Sequence, residues 1–271
     1  MPHIASLYLF YNNLSGEIPQ TISNLTSLQE LSLAANMLSN TLPSNFGHAL
    51  PNLKFLYLAA NLFEGQIPDS LDNVSGLVYL DMSSNKFTSK IPSIFGKLSG
   101  LSFLNLERNM LEASDSTGWQ FFADLTTCSS LTLLSLASNN LHGVIPNSIA
   151  NLSTNLTYLL LSDNHLSGIV PTNIRKLNGL IQLALNNFTG TIEHWIPKMT
   201  SLQRLDLNDN NFDGTMPTSI SNLTQLTFLN LSNNKFIGSI QSSLGNIQVL
   251  VNLSLSNNNF RGRIPVELGD L

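Results

Sequence analysis

At 271 residues, 42% hydrophobic and only 11% charged, the chain is too apolar for disorder and too evenly mixed for a bundle of membrane spans. A net charge of −5 removes the basic footprint of a nucleic-acid binder, and no stretch reaches the ~20 apolar residues of a transmembrane helix. The single cysteine, Cys128, leaves neither a disulfide framework nor a cysteine-rich metal site. Asn, at 34 residues, is heavily over-used although it favours neither helix nor strand, so its abundance needs a structural reason.

From the first residues onward the chain repeats itself. Met1-Pro2-His3-Ile4 carries neither the basic nor the apolar part of a signal peptide, and Ile4 already opens a unit of the form Leu-x-x-Leu-x-Leu-x-x-Asn. Further units begin at Leu28, Leu53, Leu77, Leu101, Leu131, Leu156, Leu180, Leu202, Leu226 and Leu250, spaced by 24, 25, 24, 24, 30, 25, 24, 22, 24 and 24 residues. Within each Leu-x-Leu the period of two points both leucines to one side of a short strand. The Asn that follows (Asn12, Asn36, Asn61, Asn85, Asn109, Asn139, Asn164, Asn210, Asn234, Asn258) falls where the chain turns inward. A carboxamide can donate and accept there, so a ladder of stacked Asn side chains explains the excess. The second half of the unit reads Leu14-Ser15-Gly16-Glu17-Ile18-Pro19, returning as Phe63-Glu64-Gly65-Gln66-Ile67-Pro68 and Phe260-Arg261-Gly262-Arg263-Ile264-Pro265. Gly there permits positive φ or a close backbone approach, and Pro can open a short helical turn. One unit cannot bury enough apolar surface alone, so the repeats must stack.

These residues complete the pattern Leu-x-x-Leu-x-Leu-x-x-Asn-x-Leu-x-Gly-x-Ile-Pro, which resembles the plant-specific leucine-rich-repeat family from Ile4 to Leu271. The resemblance implies an α/β solenoid: a right-handed superhelix with a concave parallel sheet and a convex side of 3-10 or short helical turns and short strands. Residues 1–271 are expected to form a single solenoid of about eleven repeats, with a longer repeat at 101–130, a shortened one at 180–201, and without the cysteine-bearing N-terminal cap usual in the family. In the long repeat, Thr117 and Gln120 fit a capping box that predicts a short helix through Leu125. Trp119, Phe121 and Phe122 either pack this longer turn or offer a docking site. In the short repeat Phe188 stands where the ladder Asn is due, so Asn186 or Asn187 substitutes or the ladder breaks. Cys128 reads as a small buried hydrophobe.

Catalytic patterns are missing: no phosphate-cradling Gly-rich loop before a helix, no Gly-x-Ser-x-Gly and no His-Glu-x-x-His. Asp81 and Asp206 lie five repeats apart, about 24 Å at the usual strand spacing, too far to work on one bond. His3, His48, His142, His165 and His194 show no metal-ligand spacing, so no metal or other cofactor is implied. The surface suited to recognition is the exposed strand face, where Phe55, Tyr57, Tyr79, Asp81, Phe103, Asn105, Leu133 and Tyr158 could line an extended peptide. Lateral packing between neighbouring strands accounts for the same rings equally well. Toward the C-terminus the two rows turn polar, through Gln182, Arg204, Asp206, Asn230 and Asn252. Nine sequons, at Asn13, Asn24, Asn73, Asn151, Asn155, Asn187, Asn222, Asn230 and Asn252, together fit a secreted glycoprotein.

The long insertion, Leu125-Thr126-Thr127-Cys128-Ser129 and Asn151-Leu152-Ser153-Thr154-Asn155-Leu156 make the chain similar to plant pattern-recognition receptor kinases. That resemblance implies an extracellular recognition module of a plasma-membrane receptor, with a peptide or protein ligand, a co-receptor, and a Ser/Thr kinase outside this sequence. It implies no nucleic acid and no membrane contact within the chain. A secreted inhibitor docking on a cell-wall hydrolase, and a truncated receptor fragment without function, stay open as alternatives.

Overall fold

The computed structural model describes residues 3–184 and 187–271, and nothing is stated of the Leu183 side chain. The chain divides into two compact units, Met1–Leu141 and His142–Leu271. In the first, parallel strands Ser6–Tyr8, Glu30–Ser32, Phe55–Tyr57, Tyr79–Asp81, Phe103–Asn105 and Leu133–Ser135 pair in sequence order without slip. In the second, Tyr158–Leu160, Gln182–Ala184, Arg204–Asp206, Phe228–Asn230 and Asn252–Ser254 do the same. Each repeat supplies one three-residue strand. Its middle leucine points inward, so that Leu31, Leu56, Leu80, Leu104, Leu159, Leu205 and Leu229 are fully buried.

Behind the strands the chain runs through a second parallel pairing, such as Met37–Thr41 beside Leu62–Gly65 and Thr189–Gly190 beside Asn211–Phe212. It then enters a 3-10 turn after the repeat proline, as at Asp69–Asn73, Ser93–Lys97 and Thr218–Asn222. The glycine slot takes positive φ, 84° at Gly16. Asn40 and Ser89, which replace glycine, keep φ at 67° and 70°, so the slot dictates the conformation and tolerates small polar residues. Where the unit offers Phe instead of Leu before that slot, the rings stack inside the core, Phe63 on Phe87 at 6.4 Å and Phe212 on Phe236 at 6.4 Å, and the half-buried Phe260 stacks on Phe236 at 6.2 Å.

The Asn after each strand explains the composition. In the first unit the Asn61 Nδ2 donates to the carbonyls of Leu58 (3.2 Å) and Ala59 (3.3 Å) in its own turn and of Leu33 (2.9 Å) one repeat back, while its Oδ1 accepts from the Leu38 N–H (3.0 Å). Asn36, Asn85, Asn109 and Asn139 repeat this set. In the second unit Asn234 and Asn258 do likewise, and Asn164 and Asn210 hold the carbonyls of their own turns. Asn12 is exposed and holds Leu9 O and Phe10 O. The residue just before the ladder Asn takes φ near +53°, a left-handed turn repeated at Tyr11, Ala35, Ala60, Ser84, Arg108, Ser138, Asp163, Asp209, Asn233 and Asn257.

In the shortened repeat, Asn186 lies outside the described residues. Asn187 is exposed, and its N–H donates to Asp209 O at 3.4 Å. Phe188 is fully buried and its N–H donates to Asn210 Oδ1 at 2.6 Å, so it fills the core place that Phe212 takes one repeat later.

The long repeat departs from the capping box expected at Thr117. Asp115 organises the turn instead: its Oδ1 accepts from the Gly118 N–H (2.7 Å) and the Thr117 hydroxyl (2.7 Å), with Lys90 Nζ at 3.2 Å. These donors hold the Asp115 carboxyl down at about 2. An acid three residues before Gly118 meets the free N–H of the turn leading into the helix better than a hydroxyl already shared with Lys90, which explains the difference. The α-helix covers only Gln120–Asp124, and Leu125–Thr127 continues as 3-10. Phe121 and Phe122 are fully buried and Trp119 nearly so, stacked 4.7–5.8 Å apart, so these rings pack the longer turn and are not open to a partner. Cys128 is buried, its thiol donates to Phe95 O and Leu98 O at 3.3 Å, and burial pushes its pKa up.

Asn139→Ala strands several buried backbone groups, whereas Asn140 stands exposed one residue later at the start of Asn140–Val144. Urea unfolding of the full chain is expected to show a loss of about 1–3 kcal/mol for Asn139→Ala and within about 0.5 for Asn140→Ala. Equal losses would contradict the ladder register.

Candidate functional site

Because the middle residue of each strand points inward, its two neighbours form outward rows. In the first unit one row runs Ser6, Glu30, Phe55, Tyr79, Phe103, Leu133 and the other Tyr8, Ser32, Tyr57, Asp81, Asn105, Ser135. Residues facing one another across parallel strands are close enough for rings to stack. Tyr79 lies on Phe103 with centroids 3.9 Å apart and planes 8° apart, and Tyr57 tilts against Tyr79 at 4.7 Å. Tyr57, Tyr79 and Phe103 are accordingly half-buried, with part of each ring spent on its neighbours, and Phe55 is half-buried as well. Burial, then the Asp81 charge, then Tyr57 push the Tyr79 phenol up to about 12. Burial, then Glu30, raise Tyr57.

The polar members of the second row secure the strand exit. Asp81 Oδ1 accepts from the Ser83 N–H (3.0 Å) and hydroxyl (2.7 Å), and Asn105 Oδ1 from the Glu107 N–H (3.1 Å). These are local turns of the kind Asp and Asn favour, a structural task that the sequence analysis did not assign to them. Leu133 is half-buried.

The second unit is different. Tyr158 is 37% exposed and has no ring partner among the described residues. Its row continues through Gln182 to Arg204, whose guanidinium lies 3.5 Å from the Phe228 ring centroid and 3.3 Å from Asp206 Oδ2. The other Asp206 oxygen is buried without a hydrogen-bond partner among the described residues. The half-buried Asn230 accepts from the Ser232 N–H and hydroxyl through its Oδ1, and Asn252 is exposed on the neighbouring strand. Four other sequon residues share one position, the last residue of the 3-10 turn: Asn24, Asn73, Asn151 and Asn222, all exposed on the side away from the strands. Asn13, Asn155 and Asn187 are exposed as well.

Two groupings escaped the sequence reading. His142 and His165 meet on neighbouring strands, with rings 4.7 Å apart, because strand register brings together histidines that are distant in sequence. Among the described residues no cluster of three or more His, Cys, Asp or Glu could hold a metal. The larger omission is a groove of ≈ 420 Å³ on the first three repeats, floored by Ala34, Ala35, Ala59 and Ala60 and walled by Tyr8, Phe10, Tyr11 and Tyr57, with Glu30 and Ser32 beside them. The two residues before the ladder Asn are Ala-Ala in the second and third repeats and Phe10-Tyr11 in the first. That step in size was visible in the sequence. Tyr11 holds φ 53° while 83% exposed, a bulky ring in a left-handed turn with little burial to offset it.

The family described as Leucine rich repeat matches residues 51–111 and 181–236, and in single-repeat form 3–25, 27–49, 130–152, 155–177 and 249–271. Over 111 residues, 41% of this chain, the sequence is 42% identical to the receptor kinase-like protein Xa21 of Oryza sativa subsp. japonica, and the match spans 9% of that protein. The structure of the Arabidopsis receptor kinase HAESA, in complex with the peptide hormone IDA and the co-receptor SERK1, superposes with a TM-score of 0.88 at 36% identity, over 98% of this chain and 44% of that one. The PEPR1–AtPEP1 structure also gives 0.88, at 31% identity, over 98% of this chain and 36% of that one. The chain thus spans less than half of these two solved chains, and its match covers about a tenth of the curated relative.

A raised phenol pKa has a consequence for stability. Since Tyr79 stands at about 12 in the fold against an ordinary 10.0, the fold favours the protonated ring. This contribution is whole below pH 10 and is lost as pH rises through 12. Tyr79→Phe cannot ionise, so the fall in thermal stability between pH 10 and pH 12 is expected to be shallower than in the wild type. Identical slopes would show that the ring is not desolvated by Phe103 and Tyr57.

Proposed function

As the chain belongs to the leucine-rich-repeat family, we propose that its strand face is a recognition surface in the extracellular part of a plant receptor, reading a peptide laid across successive strands. The observation that carries this reading is the outward pair of rows: aromatic side chains held in fixed register on strands whose inner leucines are locked in the core. Such rings offer large contact area at small entropic cost, and alternate side chains of an extended peptide can seat between them. The solved complexes of HAESA with a peptide hormone and of PEPR1 with AtPEP1 support the same assignment. A co-receptor is a further partner on this reading, and recognition, not catalysis, is the task of the repeats. The parent protein would present them at the outer face of the plasma membrane. Glycans at Asn24, Asn73, Asn151 and Asn222 would sit away from the rows and leave them open, whereas one at Asn252 would shade the end of the strand face.

Tyr158 and Phe103 are expected to respond differently. A random-peptide display library selected on the glycosylated wild-type chain supplies the probe. Tyr158→Ala should weaken the enriched peptide by about thirtyfold or more without lowering the melting temperature, because its ring supports no neighbour. Phe103→Ala should lower the melting temperature and weaken those enriched peptides that seat on the rows of the first unit, since Tyr79 leans on it. Enriched peptides that bind both variants as they bind the wild type would remove the rows as the site.

A further inference from the structure

The groove on the first three repeats shares Tyr8, Glu30, Ser32 and Tyr57 with the rows and extends past them onto the turns that follow the strands. Its floor is four alanines from the second and third repeats, so nothing fills the space above the left-handed turns there. On one side Tyr8, Phe10 and Tyr11 stand nearly perpendicular in sequence, Tyr8 to Phe10 at 80° and 6.4 Å, Phe10 to Tyr11 at 73° and 6.0 Å. Tyr57 closes the other side. The volume of ≈ 420 Å³ falls within the range of about 300–1,000 Å³ typical of ligand sites. Because the second repeat supplies part of the floor and the first and third supply the walls, the groove is defined on both sides by the stack itself.

One charge faces this aromatic enclosure. Glu30 accepts a hydrogen bond from the Tyr8 hydroxyl and has no basic partner among the described residues. Its charge also opposes ionisation of Tyr57, second to burial, which places the carboxylate near both walls. A carboxylate holds several acceptor sites, so the Tyr8 bond leaves capacity for a further donor. Ring faces attract a cation, Arg above all, and a neighbouring carboxylate adds a charge-assisted hydrogen bond. A neutral donor would keep a hydrogen bond to the carboxylate but lose the attraction of the ring faces and of the opposite charge, and an acidic group would be repelled.

We propose that this groove binds an Arg or Lys side chain of a peptide, held between the rings of Tyr8, Phe10 and Tyr57 against the Glu30 carboxylate, with an adjacent apolar residue on the alanine floor. It rests on the peptide reading above for the kind of ligand, and takes Tyr8, Glu30 and Tyr57 from the rows while adding Phe10, Tyr11 and the alanine floor. Acetyl-Trp-Arg-amide is the probe, with acetyl-Trp-citrulline-amide as a neutral counterpart of similar shape. Titration of the full chain, labelled at alanine methyls, is expected to move the Ala34, Ala35, Ala59 and Ala60 signals with the Arg peptide. Citrulline, Glu30→Gln and Phe10→Ala should each weaken binding by about tenfold or more. No movement of these methyls with the Arg peptide, equal affinity for citrulline, or equal affinity in Glu30→Gln would overturn the proposal. If that happens while display-selected peptides still depend on Tyr158, the groove alone is rejected. If the groove binds and Tyr158→Ala has no effect, the rows alone are rejected.

Discussion

The turn that follows each strand buries carbonyl groups that no strand or helix can pair. One Asn per repeat answers this. Asn109 Nδ2 reaches Leu106 O and Glu107 O in its own turn and Met82 O in the repeat before, and its Oδ1 takes the Phe87 N–H from that same earlier repeat. The side chain therefore ties a turn to itself and to its predecessor at once. Leaving such buried groups unpaired would cost more than any single contact on the surface contributes. The left-handed residue just before the Asn and the unslipped pairing of strands follow from the same constraint, since either a different turn or a shifted register would misplace the carboxamide.

From that constraint comes the separation between scaffold and surface. Strand residues on either side of the inner leucine have their positions set by groups they do not touch, so Tyr79 can lie flat on Phe103 and Arg204 over Phe228 without affecting the turn chemistry behind them. The separation has limits. Asp81 and Asn105, which read as contacts for a ligand, also cap the strand exit, and the stacked rings divide their area between neighbours and solvent. Tyr158 and the groove walls at Tyr8, Phe10 and Tyr11 are where ring area stays exposed.

What could be read in the sequence was whatever recurs. Strand register, the inward leucines and the turn Asn repeat every unit, so the rows could be written down from spacing alone. What does not recur depended on contacts between repeats. Thr117 and Gln120 match a local helix-start pattern, yet Lys90 from the preceding repeat engages the Thr117 hydroxyl and Asp115 takes its place. The stacking of His142 on His165 needs the register of two strands to be known first. The groove needed a comparison of residue size across repeats at one slot, where Phe10-Tyr11 gives way to Ala34-Ala35 and Ala59-Ala60. The identity of Asn186 in the ladder lies outside the described residues.

The ladder is tested most directly by native-state hydrogen exchange in Asn109→Ala. The Phe87 amide, which donates to the Asn109 carboxamide, is predicted to lose most of its protection, while the Phe63 amide, held by Asn85, keeps its own. Unchanged protection at Phe87 would contradict the claim that the carboxamide, and not the packing around it, fixes one repeat to the next.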